Sequence, residues 1–112
     1  MTGMAVDGAR DAAGEAWVEA VLQLVEEIPP GRVLSYGEVA LLVAERLGSG
    51  GGPRQVGQVM ARYGAAVPWW RVVRADGQPV RGLEAEASER LRAEGTPMRG
   101  PRVVLAEARY RP

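Results

Sequence analysis

The sequence contains no cysteine, histidine, phenylalanine or lysine. Without a thiol or an imidazole it cannot form a disulfide, and it lacks the usual ligands of zinc, haem and iron–sulfur clusters. The same absence removes the thiol nucleophile, the imidazole base and the Ser–His pair from its chemistry. Carboxylates, tyrosine, arginine and a few hydroxyl groups remain. We therefore expect no metal site and no cofactor.

Long apolar runs are also absent, although 46% of the 112 residues are hydrophobic. No run approaches the roughly 18–20 apolar residues that a membrane span needs. The N-terminal residues lack the basic start and apolar stretch of a secretory signal. A chain of this length suffices for one domain with a buried core. We expect a single-domain cytoplasmic protein with no membrane partner.

Charge is balanced in total but uneven along the chain. All 14 basic residues are arginine and face 14 acidic residues. Residues 1–50 hold three arginines against eight acids, a balance of −5, whereas residues 51–82 hold five arginines against Asp76 alone, a balance of +4. A local positive excess favours an anion-binding face. The alternative is a solvated surface that is basic only because of compositional bias toward arginine.

Apolar periodicity and end signals predict four helices. Ser35 precedes Glu38 by three residues, which is the spacing of a capping box, and Gly48 suits the helix end. Pro53 suits the first turn of another helix. The predicted helices span residues 16–28, 36–47, 53–63 and 84–94. Residues 1–14 show no periodicity, so we predict a flexible tail there and a folded domain over residues 15–112.

The predicted β structure is small. Val72-Val73, the Asp76-Gly77 turn and the residues after it are typical of a hairpin, and residues 102–105 are predicted to form another short strand. Two short helices joined by a Gly-rich turn are a candidate helix-turn-helix, although this connection exceeds the usual three or four residues. The predicted fold is mainly α with a small β-hairpin, a single domain resembling a winged helix-turn-helix.

Two features of the sequence are unusual. The stretch "AAVPWWRVV" places Trp69 and Trp70 side by side before a strand, where neighbours in an extended segment point in opposite directions. One ring is therefore expected in the core and the other elsewhere. Gly57 lies inside a predicted helix, where glycine costs roughly 1 kcal/mol relative to alanine. Close approach of a partner to the helix backbone explains it, and so does weak selection on a short helix.

Four motifs in order and spacing carry a resemblance to a known family. The strings "IPPGRVLSYGEVA", "PRQVGQVMARYG", "PWWRVV" and "ERLRAEG" resemble the DNA-binding domain of the O6-alkylguanine-DNA alkyltransferases. The ending "EGTPMRGPRVVLAEARYRP" resembles that of a subgroup, the alkyltransferase-like proteins. The family's repair enzymes carry Pro-Cys-His-Arg-Val, whose cysteine accepts the alkyl group. Here Trp69 stands at the cysteine position and Trp70 at the histidine position.

The resemblance implies that the chain has no catalytic residue. Glu94 matches the third member of the family's Cys-His-Glu network and is left with no imidazole to orient. Tyr36 matches a residue that contacts the phosphate of the target nucleotide, and Arg54 matches a finger that fills the gap left by a flipped base. The implied DNA-binding residues are Ser35, Tyr36, Arg54, Gln55, Gly57 and Gln58. The implied pocket for the flipped base is lined by Tyr36, Met60, Pro68, Trp69 and Val72.

The function implied is that of a non-enzymatic DNA damage sensor. As a monomer, it is expected to flip O6-alkylguanine out of double-stranded DNA and to flag the lesion for nucleotide excision repair proteins. One alternative is a winged-helix transcription regulator without lesion preference, which would need a dimer and two half-sites. A second alternative is an enzyme of unrelated chemistry that uses Glu94 and Tyr36.

Overall fold

The computed structural model describes residues 14–112 in full and, of residues 2–13, only the course of the first helix. The helices are α1 (Thr2–Glu27), α2 (Tyr36–Leu47), α3 (Pro53–Tyr63), α4 (Glu84–Ala93) and α5 (Leu105–Ala108). The strands are β1 (Leu34–Ser35), β2 (Val72–Val73), β3 (Met98–Arg99) and β4 (Arg102–Val103). The prediction of a mainly α domain with little β structure is confirmed.

Helices α2 and α3 begin and end where their end signals predict. The Ser35 backbone N–H donates to Glu38 Oε1 at 3.0 Å, and the Glu38 N–H donates to Ser35 Oγ at 3.1 Å, so the predicted capping box is present. Gly48 ends α2 with φ of 75°, in the left-handed region that glycine favours. Helix α3 starts at Pro53 as predicted. The two local signals therefore determine the helix pair that carries the site.

Helix α1 starts at Thr2, earlier than the predicted start at residue 16. The preceding segment is rich in alanine, which has a high helix propensity and forms helix even without an apolar stripe. The spacing of apolar residues alone therefore placed the helix start too late. The predicted flexible tail covers residues 1–14. All of these residues except Gly14 lie outside the fully described part of the chain. The division into a tail and a domain over residues 15–112 stays a prediction.

The predicted hairpin at Val72-Val73 is wrong. Strand β2 pairs with β1 in parallel, Leu34 opposite Val72 and Ser35 opposite Val73, and residues 78–97 after the turn contain no strand. The turn itself is present, with Gly77 at φ of 86°. Pro79 comes shortly after it and has no N–H to donate to a ladder. The antiparallel pair is instead β3 with β4, and the strand predicted over residues 102–105 ends at Val103.

The core divides into two clusters that meet at strand β2. Val72 packs in a larger cluster formed by α1, α2 and α3, while its neighbour Val73 packs in a smaller cluster with Leu91 of α4 and Val103 of β4. Successive strand residues point to opposite faces, so one short strand serves both clusters. Trp17 of α1 is partly buried and packs against the larger cluster. The segment just before β2 therefore lies at the seam between the two clusters.

The C-terminal residues fasten the start of α2. Val33 donates its N–H to the Ala108 carbonyl and accepts from the Tyr110 N–H, each at 2.9 Å. Arg109 pairs with Glu38, the carboxylate of the capping box. Within the described residues, no helix is both long enough and apolar enough to cross a membrane.

Candidate nucleic-acid interface

A cavity of about 460 Å³ opens between the start of α2, one face of α3 and the segment before α4. We call it the aromatic cavity, and its lining includes Tyr36, Gly57, Met60, Gly64, Trp69 and Arg81. Its size lies within the usual range for small-molecule sites. Three residues of the predicted pocket line it, namely Tyr36, Met60 and Trp69. Pro68 does not line it, and Val72 is fully buried in the core and does not line it either.

Eight of the eleven residues that line the aromatic cavity are absent from the predicted pocket, and four of the eight lie far from α3 in the sequence. These four come from the segment after the turn and from the first turns of α4: Val80, Arg81, Leu83 and Glu86. No apolar period or motif in the sequence indicates these residues. The loop before α4 brings them to the cavity only through tertiary folding.

A second, larger depression of about 890 Å³ adjoins the aromatic cavity and shares Tyr36, Gly57, Val80 and Arg81 with it. We call it the arginine groove, and its lining includes Ser35, Tyr36, Arg54, Gly57, Arg74 and Arg81. It therefore brings together four of the six residues predicted to bind DNA.

Gln55 and Gln58 are the two that line neither cavity, although both are exposed on α3. The Gln55 side chain accepts the Gly52 N–H at 2.9 Å and so caps the start of α3.

The groove is positively charged because its arginines lack acidic partners. Four arginines elsewhere form ion pairs, Arg46 with Glu27, Arg71 with Glu94, Arg90 with Glu86 and Arg109 with Glu38. Among the described residues, Arg54, Arg74 and Arg81 form none, and no acidic residue lines the groove. Burial raises the pKa of the Tyr36 phenol, and the charge of Arg74 offsets only part of that rise. The phenol therefore keeps its proton near neutral pH and is able to donate to an anion.

The two adjacent tryptophans are not extended, because Trp69–Arg71 forms a single 3₁₀ turn. Their rings nevertheless part as expected. Trp69 packs against the larger core cluster and lines the aromatic cavity, whereas Trp70 packs against the smaller cluster. The ring centroids are 5.7 Å apart at an interplanar angle of 88°, a favourable edge-to-face arrangement. Both rings are half-buried and each packs against a core cluster, so the expected division into one core ring and one outside the core is not seen.

Glu94 has a full set of partners despite the missing imidazole. Trp70 Nε1 donates to Glu94 Oε1 at 2.7 Å, and the Gly31 N–H donates to Glu94 Oε2 at 3.3 Å. Arg71 adds two contacts to Oε1, from Nη2 at 2.7 Å and from Nε at 3.2 Å, and Nε also lies 3.0 Å from Oε2. Burial raises the pKa of Glu94, but the hydrogen bonds from Arg71, Trp70 and Gly31 together outweigh it, so the net pKa is lowered. The tryptophan indole supplies the N–H that orients this carboxylate.

Arg71 therefore takes no part in the basic surface inferred from the charge of residues 51–82. Its Nη1 donates to the Ile28 carbonyl at 2.8 Å, and its side chain is only 13% exposed. The guanidinium groups of Arg71 and Arg90 lie 5.3 and 4.6 Å from the Trp70 ring centroid, within cation–π range. Trp70 is held by charge as well as by packing.

Gly57 presents bare backbone to both cavities. A Cβ built there would have no atom within 4 Å, so packing within the described residues does not require glycine at this position. The open space is available to a partner that approaches the α3 backbone closely. Within the described residues, no group of three or more His, Cys, Asp or Glu side chains is arranged to hold a metal ion.

Comparisons with known proteins agree with this geometry. The family "6-O-methylguanine DNA methyltransferase, DNA binding domain" matches residues 16–96. A DNA base-flipping protein of Escherichia coli (strain K12) is 42% identical over 65 residues, which are 56% of this chain and 47% of that protein. One from Vibrio parahaemolyticus is 30% identical over 79 residues, 67% of this chain and 75% of that protein. The chain thus spans about half the length of the Escherichia coli relative.

Two solved structures also resemble the chain. S. pombe Atl1 in complex with damaged DNA containing O6-carboxymethylguanine matches with a TM-score of 0.72 and 30% identity, over 88% of this chain and 97% of that one. S. pombe ATL in complex with DNA matches with a TM-score of 0.68, the same identity and the same coverage. The fold and the two cavities define a DNA-binding domain of the alkyltransferase type. The chain belongs to the 6-O-methylguanine DNA methyltransferase DNA-binding domain family, and within it to the alkyltransferase-like proteins.

Proposed function

We propose that the protein is a non-enzymatic sensor of O6-alkylguanine in duplex DNA. The observation that carries the proposal is the unreactive Trp69 ring in a cavity of base-accepting size, next to a groove whose charged lining is entirely arginine. The base-flipping relatives and the Atl1 complex with damaged DNA support it. A base that stays stacked in the duplex cannot enter the aromatic cavity, so occupation of this cavity by a base requires a flipped nucleotide.

The proposed binding event exchanges base stacking for contacts with the protein. Flipping a nucleotide costs a few kcal/mol, least for a damaged base that already pairs badly. A base against Trp69 regains about 1–3 kcal/mol from stacking. Arg54, at the start of α3, fills the vacated space in the duplex, where its planar guanidinium stacks and donates hydrogen bonds together. The bare backbone at Gly57 lets α3 approach the minor groove.

The proposed sensor leaves the alkyl group on the DNA. A transferase needs an activated nucleophile such as a thiolate, and the chain has no cysteine. Glu94, the remaining member of the family's network, is occupied by Trp70 and Arg71. We infer that the bound lesion is instead presented, by a monomeric cytoplasmic protein, to the nucleotide excision repair proteins.

Fluorescence anisotropy with otherwise identical duplexes carrying O6-methylguanine or guanine tests the proposal. Tighter binding to the lesion duplex is expected. Equal affinities for the two duplexes, combined with a preference for one base sequence, would support the winged-helix regulator instead. Incubation with DNA that carries a labelled O6-methyl group should leave no label on the protein, and transfer in a one-to-one ratio would contradict the sensor.

Arg54→Ala tests the finger within the same assay. We expect the variant to lose about 1–3 kcal/mol of binding free energy, as other intimate Arg–DNA contacts do. Arg62→Ala is the matched control, because Arg62 lies on the same helix, is exposed and lines neither cavity. Melting temperatures should be unchanged for both variants. A finger assignment for Arg54 would be untenable if the two variants bound the lesion equally well.

A further inference from the structure

Arg74, in the turn after β2, lines the arginine groove, and the proposed function assigns it no role. Arg74 is half-buried, and its Nε is buried without a hydrogen-bond partner among the described residues. One Nη group donates to the neutral side chain of Gln78. The nearby Asp76 carboxylate accepts from the Gln78 N–H at 3.0 Å and does not pair with Arg74 within the described residues. The Nε is shielded from solvent, so the donor open to an external acceptor is the other Nη group, which has no hydrogen-bond partner among the described residues.

The backbone of this turn is held firmly. The Arg74 N–H donates to the Gln78 carbonyl at 2.9 Å, and the Gly77 N–H donates to the Arg74 carbonyl at 2.8 Å. The Gly77 carbonyl in turn accepts the Val103 N–H at 2.9 Å. A side chain at position 77 would collide with the Val103 backbone, which shows how closely the turn lies on β4. Arg74 is thus presented from a rigid support.

The partner that fits this position is a phosphate diester. Arg74 lines the groove beside Tyr36, and the two are close enough for the guanidinium charge to act on the phenol. The planar fork of arginine matches a phosphate with two parallel N–H donors, and a protonated phenol adds a third donor. Among the described residues, no carboxylate lines the groove to compete with such an anion.

We propose that Arg74 binds, together with Tyr36, a backbone phosphate of the DNA strand whose base enters the aromatic cavity. This inference rests on the proposed function, since it places the strand in the arginine groove. The contact positions the strand without reading the base. It therefore contributes to affinity for damaged and undamaged duplexes alike, whereas Trp69 contributes to the difference between them.

Arg74→Ala is expected to weaken binding to both duplexes about tenfold, because a charge-assisted hydrogen bond contributes that much. The ratio of the two affinities should not change. The slope of log affinity against log salt should fall in magnitude by about one. Arg74→Lys keeps a point charge and should recover part of the affinity.

A thermodynamic cycle identifies the phosphate. Wild type and Arg74→Ala are titrated with lesion duplexes that carry one uncharged methylphosphonate at successive positions around the lesion. At one position the wild type should lose about tenfold in affinity while Arg74→Ala loses almost nothing more. Arg99→Ala, which removes an exposed arginine that lines neither cavity, should show additive losses at every position.

The Gln78→Ala variant distinguishes a DNA contact made by Arg74 from a purely structural role of Arg74. It removes the only side-chain acceptor of Arg74 among the described residues and should leave DNA affinity intact or improved. If Gln78→Ala and Arg74→Ala weaken binding equally, or if no methylphosphonate position is coupled to Arg74, the phosphate contact is overturned. Should Arg74→Ala fold poorly, the same cycle with Arg74→Lys gives the answer. Absence of lesion preference in the wild type would instead count against the proposed function, because phosphate coupling is measurable on undamaged DNA too.

Discussion

Trp69 and Trp70 are adjacent in sequence but have different neighbours. Trp69 lines the aromatic cavity, and the hydrogen bond to Glu94 comes from Trp70 instead. Trp70 donates to Glu94 and lies near the guanidinium groups of Arg71 and Arg90. The first ring is available to a ligand, whereas the second connects the smaller core cluster to a buried carboxylate.

Replacing each tryptophan by alanine should therefore change a different property, namely lesion preference for Trp69 and fold stability for Trp70. Trp69→Ala is expected to reduce the preference for O6-alkylguanine over guanine while the protein stays folded, because the lost contact is with the flipped base. Trp70→Ala should cost about 3 kcal/mol of unfolding free energy, at the low end for a large aromatic because the ring is only half-buried. Thermal melts and paired affinities distinguish the two. A reversed pattern would mean that Trp70, and not Trp69, contacts the base.

Glu94 is a residue whose charge state contributes to the stability of the fold. Its pKa in the folded protein is lowered, whereas an unfolded glutamate titrates near 4.3. The ionised form is therefore the one that folding favours, and its contribution is fully present above about pH 4.3 and is lost as the pH falls through the folded pKa. Glu94→Gln should cost about 3 kcal/mol at neutral pH, because it leaves Arg71 buried without its counter-ion.

Denaturant unfolding between about pH 3 and 7 tests this expectation. The Glu94→Gln protein should show a weaker loss of stability on acidification than wild type. Glu27→Gln is the control, because its pair with Arg46 is largely exposed and should contribute less than about 1 kcal/mol. Equal pH profiles for wild type and Glu94→Gln would show that the carboxylate is not the dominant acid-sensitive group.

At the scale of single elements, the sequence of α3 favours contact with a partner over the stability of the helix. Its buried face packs Val56, Val59 and Met60 into the larger cluster, while Gly57 leaves a gap on the face toward the two cavities. Gly14 in α1 is a natural counterpart. It too lies in a helix with open space at its Cβ, and it lines neither cavity.

Alanine at the two positions should therefore act differently on binding and similarly on stability. Each substitution is expected to stabilise the fold by up to about 1 kcal/mol, since alanine is the better helix former. Gly57→Ala should weaken binding to both duplexes because its methyl group stands between α3 and the DNA backbone. Gly14→Ala should leave affinity unchanged. Binding by Gly57→Ala at wild-type strength would indicate that α3 does not approach DNA closely.

At the scale of the whole molecule, charge is separated between surfaces. Exposed acids such as Glu15, Glu19 and Glu26 lie on α1, whereas the arginine groove has no acidic lining. A sequence count of residues 51–82 offers five arginines for DNA. The structure reduces that number, because Arg71 is bound to Glu94 and Arg62 lies over Tyr63, outside both cavities.

The salt dependence of DNA affinity reports how many phosphates the remaining arginines neutralise. Three stay in the groove, and Arg54 is proposed to enter the base stack, so two to three phosphates should be neutralised. The slope of log affinity against log salt should be about −2 to −3. Titration over a series of KCl concentrations gives this slope. A value near −5 would mean that Arg62 and Arg71 also reach phosphates, and a value near zero would mean that the charge asymmetry is only compositional.

The start and end of α2 and the start of α3 were predictable because their signals are local. Ser35 and Glu38 lie within one turn of each other, and Gly48 and Pro53 act on their own backbone torsions, so no distant contact decides them. Four of the six residues expected to bind DNA meet in one groove for the same reason, because both helix starts were correctly placed. Tyr36, Met60 and Trp69 likewise meet in one cavity.

The sequence by itself determined which side chains are unavailable for chemistry and which residues cap the helices. Only the tertiary structure decided that β2 pairs with β1 rather than in a hairpin, and that Arg71 is withdrawn from the basic surface. It also decided that Trp70 donates its indole N–H to Glu94. The physical reason is the distance along the chain: Leu34 and Val72, or Trp70 and Glu94, are brought together by burial of two core clusters, and no local preference encodes that pairing.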